Sequence, residues 1–382
     1  MNQVTPRVFI AATRQNDGKT TTSLGLIAAL QQRYPRVGYI KPVGQRFVEI
    51  AEQKIDEDTV LMDSVFGLNC PLVDMSPIAV EPDFTRKYLQ SSNNETLVKT
   101  IQKAFDRVAW EKDFVLCEGS GHAGVGSVFD LSNAQVAKIL GAKVIIVTQG
   151  GIGKPIDEVA LNKALFDKEG VEIIGVIINK VIGTKVDYVT DFARRGFKRK
   201  GLELLGVIPH HRTLPKPTLE VIREELKAEP LNDSKQVQNL VEDVVVGAMS
   251  VNNAKNFFKP GVLLITPGDR EDLVLAAAAG SSAQNPQPTT STASSLSTLN
   301  HQPSTPLAGI VLTGNLRPSP VVLRAISAMP FPVLFSAEDS YEVASRVHDL
   351  IVKIRPSDAA KISLIRDLIA ENVNLKKILE SL

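Results

Sequence analysis

Six runs of strand length, RVFIAAT, VGYIKPV, FVLCEG, AKVIIVTQ, EIIGVIINKV and LGVIP, are apolar almost without interruption. A strand with one wet face alternates apolar and polar residues, whereas a strand covered on both faces does not. Parallel neighbours also need long crossovers, and TTTSLGLIAALQQR and NAQVAKIL carry apolar residues at helical spacing between the runs. The pattern predicts an α/β fold, a doubly wound and mostly parallel sheet over residues 1–230.

Beyond Lys216 the chain changes character. TLEVIREELKAE (218–229) reads as an exposed helix, and DVVVGAMS opens a new set of strands. GVLLITPGD, LAGIVLTGN and FPVLFSA read as strands alternating with the helical DLVLAAAAG, PVVLRAISAM and YEVASRVHDLIVKI. The terminal SDAAKISLIRDLIAENVNLKKILESL reads as a helix or helix pair. Residues 231–382 are thus predicted to form a smaller α/β domain. Residues 281–306 contain no Lys, Arg, Asp or Glu and are dominated by Ser, Thr, Pro, Gln and Asn. Such a segment cannot bury a core and is predicted to be a disordered insertion.

The chain has 382 residues, and domains run to roughly 100–200, so two or three fit. With 43 basic and 42 acidic residues the net charge is +1, which leaves no electrostatic case for nucleic acid or a membrane surface. Two cysteines, Cys70 and Cys117, exclude a disulfide framework and read as reduced thiols. No apolar run approaches the roughly 18 residues of a membrane span, and the first run leads straight into a loop rather than a cleavage site. A cytoplasmic protein is expected.

The strongest chemical signal is Thr13-Arg14-Gln15-Asn16-Asp17-Gly18-Lys19-Thr20, between strand VFIAA and helix TTSLGLIAAL. A phosphate loop needs a strand–turn–helix junction, backbone N–H groups around the oxyanions, a lysine for the β/γ-phosphates and a hydroxyl for Mg²⁺. Gly18, Lys19 and Thr20 supply the second half of that pattern, and Thr13 stands where its first glycine usually does. Arg14, Asp17 and Thr21 join them as candidate nucleotide contacts. Arg14 lies five residues before Lys19, where a subset of these NTPases carries a second basic residue.

Lys41 ends the second strand at the ligand edge of the sheet, where it could meet phosphate or a carboxylated substrate; the plainer reading is a solvated lysine before Pro42. Glu118 ends FVLCEG opposite the loop, the usual place of a carboxylate that partners Mg²⁺. Asp56 and Asp58 begin a helix; Asp58 is a second candidate metal contact, or a helix cap. Asn179, before Lys180 at the end of EIIGVIINKV, is either a base contact or a turn residue. ATP and Mg²⁺ are the expected cofactors, with Lys19 and Lys41 as the residues that would act in any reaction.

These motifs taken together resemble a known family. Residues 1–250 resemble the dethiobiotin synthetase-like NTPase domain, and KPVGQ, VIIVTQGG, GVIINKV and GVIPHHRTL resemble more closely the N-terminal region of long phosphate acetyltransferases. GVLLITPGDREDLVLAAAAG with LAGIVLTGN resembles the DRTGG domain that follows there, carried by Gly268-Asp269-Arg270 and Thr313-Gly314-Asn315. Asn315 replaces the final glycine of that signature, Gly44-Gln45-Arg46 replaces the Ser/Gly-rich stretch after the KP motif, and EGSGHAG replaces an EGAGG-like loop. The resemblance implies a nucleotide-binding regulatory or scaffold protein, a front part without the acetyltransferase catalytic domain. Its DRTGG unit would contact a protein partner or a second copy. Alternatives are an ATP-dependent ligase of the dethiobiotin synthetase type, with Lys41 orienting a carbamate or carboxylate, and an activity related to phosphate acetyltransferase.

Overall fold

The computed structural model describes residues 1–91, 93–282 and 307–382. The chain forms two compact units, Met1–His211 with Ile354–Leu382, and Arg212–Lys353.

The first unit begins β1 (Arg7–Ala12), α1 (Lys19–Gln31), β2 (Val37–Ile40), β3 (Val43–Gly44), β4 (Phe47–Ile50), β5 (Gln53–Asp56) and α2 (Glu57–Phe66). It continues α3 (Leu72–Met75), β6 (Ile78–Ala79), α4 (Phe84–Ser91), α5 (Asn94–Ala109), β7 (Phe114–Glu118), α6 (Asn133–Leu140) and β8 (Lys143–Gln149). Then follow α7 (Gly153–Glu169), β9 (Ile173–Val181), α8 (Val186–Lys198) and β10 (Leu204–Pro209). Six strands form a wholly parallel sheet in the order β2-β7-β1-β8-β9-β10. Every residue of β1 and β7 is buried, as uninterrupted apolar runs require. The chain leaves β1 in one direction and later returns to its other side, so the sheet has its switch point at β1, where a ligand crevice is expected.

An antiparallel hairpin, β4–β5, is not foreshadowed by the apolar pattern. Its two turn residues, Ala51 and Glu52, both have positive φ (48° and 64°), the geometry of a tight hairpin turn. The usual Asn-Gly signal is missing there. The hairpin matters because it leads into Asp56, the cap of α2, whose side chain accepts from the Asp58 N–H.

The second unit contains α9 (Leu219–Leu226), β11 (Glu229–Pro230), β12 (Asp243–Val246), α10 (Val251–Ala254), β13 (Val262–Pro267) and α11 (Glu271–Ser282). It ends with β14 (Leu307–Thr313), α12 (Pro320–Ser327), β15 (Val333–Phe335) and α13 (Ser340–His348). The sheet order is β11-β15-β14-β13-β12, with β11 antiparallel and the other neighbours parallel. Alternate residues feed two cores: Leu264, Ile310 and Leu312 pack with α11 and α12 residues such as Val274 and Ile326, whereas Leu263, Ile265 and Val311 pack with Ile222 and Val343.

Helix α9 is not the exposed helix expected. Leu219, Ile222 and Leu226 fall on one stripe and are buried, since that spacing fits a core-facing helix better than a solvated one. Asn315, in place of a glycine, has φ 55°, and asparagine is among the residues that best tolerate this left-handed conformation. Gly268 admits no side chain, because a Cβ there would overlap the Leu316 carbonyl oxygen. Ser281 and Ser282 still belong to α11, and the rest of the segment predicted to be disordered, 283–306, lies outside the described residues.

The domain boundaries also differ from expectation. The first unit ends at His211 rather than 230, and α14 (Ala359–Asn372) and α15 (Leu375–Glu380) belong to it rather than to the second unit. The reason is packing: Ile369 of α14 lies so close to Gly25 of α1 that a Cβ at Gly25 would overlap it. The following residues hold the same position, with Asn374 N–H donating to the Leu205 carbonyl at 2.8 Å. Gly25→Val should therefore destabilise the first unit by about 1–3 kcal/mol through overpacking. Thermal melting checks this, and an unchanged midpoint would mean that α14 is not held against α1.

Candidate functional site

The site is built where β1, β2 and β7 end together. β1 gives way to the loop 13–18, and the chain turns into α1 through Gly18, whose φ is 103°. Only glycine fits there, since a Cβ would also overlap Asn179 Nδ2. The loop is braced from within. Asp17 is buried, and its Oδ2 accepts from Thr13 Oγ1 and from the Arg14 N–H, both at 2.7 Å. Thr13 thus supplies a hydrogen bond that a glycine could not.

The loop is also held from β9. Asn179 Nδ2 donates to the Asp17 carbonyl at 2.9 Å, and Lys180 Nζ donates to the Asn16 carbonyl at 2.6 Å. The Asn179 oxygen accepts from the Lys180 N–H, so both ends of that amide meet protein. Arg14 is exposed and pairs with Glu158 of α7. Asn162, one turn on, receives the Ala123 N–H at 2.8 Å and lies 3.4 Å from the Thr13 carbonyl, linking the loop to the segment after β7.

Lys19 and Thr20 open α1. Lys19 is buried, and its Nζ donates to the Gly121 carbonyl at 3.2 Å. Burial lowers its pKa, with Lys41 adding to that effect and Glu118 opposing it. Thr20 Oγ1 donates to Glu118 Oε1 at 3.0 Å, and Tyr39 Oη donates to Glu118 Oε2 at 3.2 Å. Thr21 follows on α1, half-buried.

Lys41 lies in the same crevice and is buried, so the reading as a solvated lysine fails. Its ammonium pairs with Asp58 and with Asp56 Oδ1, the latter at 2.9 Å. Burial works against that charge, but Asp58, Asp56 and Glu118 outweigh it and raise the pKa above the ordinary lysine range. Three carboxylates share this cation, and burial raises the pKa of both Asp56 and Glu118. Asp58 is a partner of Lys41, while the cap of α2 is Asp56.

The structure therefore gathers Lys19, Thr20, Glu118, Lys41 and Asp58, and sets Asp17, Gly18 and Asn179 in the loop and its support. Sequence reasoning missed Tyr39, Glu158 and Asn162. Tyr39 had a signal, since it stands two residues before Lys41 and so shares its face of the strand. Glu158 and Asn162 had none, because α7 meets the loop only through the fold.

The donor set fits Mg²⁺ bound together with phosphates. Thr20 and Glu118 offer hard oxygen ligands, and a cation would offset the cost of burying the Glu118 charge. Magnesium commonly takes one or two carboxylates and completes its shell with water and substrate phosphates. No group of three or more His, Cys, Asp or Glu placed to hold a metal occurs among the described residues. No helix among them is long and apolar enough to cross a membrane.

Over 366 residues the chain is 27% identical to the phosphate acetyltransferase of Nitratidesulfovibrio vulgaris, covering 93% of this chain and 49% of that protein. The Pseudomonas aeruginosa phosphate acetyltransferase is 31% identical over 283 residues, 70% of this chain and 39% of that protein. The chain thus spans about half the length, or less, of these relatives. The ATP-dependent dethiobiotin synthetase BioD of Methanococcus vannielii is 27% identical over 206 residues, 53% of this chain and 92% of BioD. Among solved structures, the MinC:MinD cell division complex of Aquifex aeolicus shares 18% identity at a TM-score of 0.35, covering 55% of this chain and 83% of that one. A score that low says nothing of function. Residues 6–218 match the AAA domain family AAA_26 and residues 221–350 match the DRTGG domain. With more than half its length in the first of these matches, the chain belongs to the AAA_26 family and carries a DRTGG domain behind its phosphate-loop unit.

Proposed function

We propose that the first unit binds Mg-ATP at the ends of β1 and β7, and that the chain is a regulatory or scaffold protein with little or no turnover. The observation that carries the reading is the Thr20–Glu118 hydrogen bond beside Lys19 at the start of α1. Phosphates would lie over the first N–H groups of α1, where the helix dipole favours negative charge. Lys19 would exchange the Gly121 carbonyl for the β/γ-phosphate oxygens, and Asp17, Gly18 and Thr21 would line the phosphate path. Arg14 would approach from the exposed side of the loop. A contact from Asn179 to the base would use its second amide hydrogen, since Asp17 takes the first. Thr20 and Glu118 would hold the metal, which supplies neutralisation of phosphate charge, and Asp58 would join them as a second carboxylate on giving up Lys41.

The engagement of Lys41 supports low turnover. A ligase would use that cation to orient a carboxylate, but here Asp56 and Asp58 already engage it. The ligase reading keeps one support, the BioD relative matched over 92% of its length. An activity related to phosphate acetyltransferase is supported by relatives of that name over 93% of this chain. The DRTGG unit would mediate assembly, with a second copy or another protein, or sense a metabolite, its state set by ATP occupancy. Free Cys70 and Cys117 suit the reducing cytoplasm.

The test is turnover by purified protein with ATP alone and with diaminopelargonate and bicarbonate, or with acetyl phosphate and coenzyme A. ATP binding with little hydrolysis in every mixture is expected. Phosphate release that rises with diaminopelargonate would establish the ligase instead.

A further inference from the structure

Tyr39 is fully buried at the end of β2, a place where phenylalanine would fill the same space. A hydroxyl there has to be bonded, and the Tyr39 hydroxyl donates to Glu118 Oε2 at 3.2 Å. The opposite oxygen, Oε1, accepts from Thr20 Oγ1 at 3.0 Å. The two donors come from different elements, β2 and α1, and engage different oxygens. Together they hold the carboxylate with Oε1 toward α1 and Oε2 toward β2.

We infer that Tyr39 is a positioning residue for the metal, holding Glu118 so that Oε1 is presented beside the Thr20 hydroxyl. The inference rests on the reading of Thr20 and Glu118 as the Mg²⁺ pair. Groups that orient a metal ligand from behind fix its rotamer, and losing one commonly weakens metal binding by about 10–100-fold. Tyr39 would act through Glu118, since its hydroxyl donates to Oε2 and the Thr20 hydroxyl to Oε1. Its effect should therefore appear only in the part of nucleotide affinity that depends on the metal. Val37, Gly38 and Ile40 carry the rest of β2 alongside β7, so the backbone pairing does not depend on the hydroxyl.

The experiment compares ATP affinity of the full chain with Mg²⁺ and with EDTA, for the parent and for Tyr39→Phe. In the parent, Mg²⁺ should strengthen ATP binding. In Tyr39→Phe that gain should shrink about tenfold, while affinity in EDTA changes far less. Glu118→Gln provides a second arm, independent of how well Tyr39→Phe folds. It should lose the metal-dependent gain, and Tyr39→Phe added to it should cost little more. An undiminished gain in Tyr39→Phe would overturn the inference while leaving the Mg-ATP reading intact. Equal weakening of Tyr39→Phe in Mg²⁺ and EDTA would overturn it too, marking a merely structural hydroxyl. A parent whose ATP affinity ignores Mg²⁺ would remove the reading and the inference together.

Discussion

Replacing Lys41 by methionine should destabilise the first unit by about 3–5 kcal/mol at neutral pH, because removing one partner of a buried pair leaves the other charges uncompensated. Here the remaining charges are Asp56, Asp58 and Glu118, all buried. The sign with pH follows from the shifts. The pKa of Lys41 is raised in the folded chain, so its contribution is present below the ordinary lysine range and is lost only as pH rises through the folded value. Asp56 and Glu118 are also raised, chiefly by burial, so the folded state takes up protons more readily than the unfolded one. Without Lys41 they should rise further, and the deficit should narrow as the pH falls and they become neutral. Chemical denaturation at neutral and at acidic pH checks this. A Lys41→Met protein as stable as the parent, but changed in turnover, would restore Lys41 to a catalytic part.

Lys19→Ala should weaken ATP binding by about 2–3 kcal/mol, roughly 30- to 150-fold in Kd, the scale of removing a charge-assisted hydrogen bond to a phosphate. Its fold should survive, since the side chain gives up only its bond to the Gly121 carbonyl. Burial already lowers the pKa of Lys19, so the ammonium of the nucleotide-free chain is deprotonated at lower pH than an ordinary lysine's. ATP affinity should accordingly begin to fall on the alkaline side earlier than lysine chemistry in water would suggest. Equal affinity in parent and variant would remove the phosphate-binding role of the loop.

The parts of the fold visible in the sequence are those fixed by local pattern. Uninterrupted apolar runs mark β1, β2, β7, β8, β9 and β10, and the run ends place Lys19, Lys41 and Glu118 at one edge of the sheet. What stayed hidden depends on contacts between distant residues. The β4–β5 turn uses Ala51 and Glu52, residues that do not advertise positive φ, so the route by which Asp56 reaches Lys41 left no mark. The return of α14 to α1 rests on the absence of a side chain at Gly25, which reads as an ordinary helix weakness until Ile369 is beside it. A lysine at a strand end looks the same in sequence whether free or paired. The burial of Lys41 between two aspartates is what changes its meaning, and that is a property of the packed chain.

Nucleotide binding at the loop is tested most simply by an equilibrium titration of the folded parent chain with ATP in the presence of Mg²⁺, with Lys19→Ala in parallel. The parent should show saturable binding of one nucleotide per first unit, and the variant should bind roughly 30- to 150-fold more weakly. A folded parent that takes up no ATP, or binds it equally well without the Lys19 ammonium, would contradict Mg-ATP binding at this site.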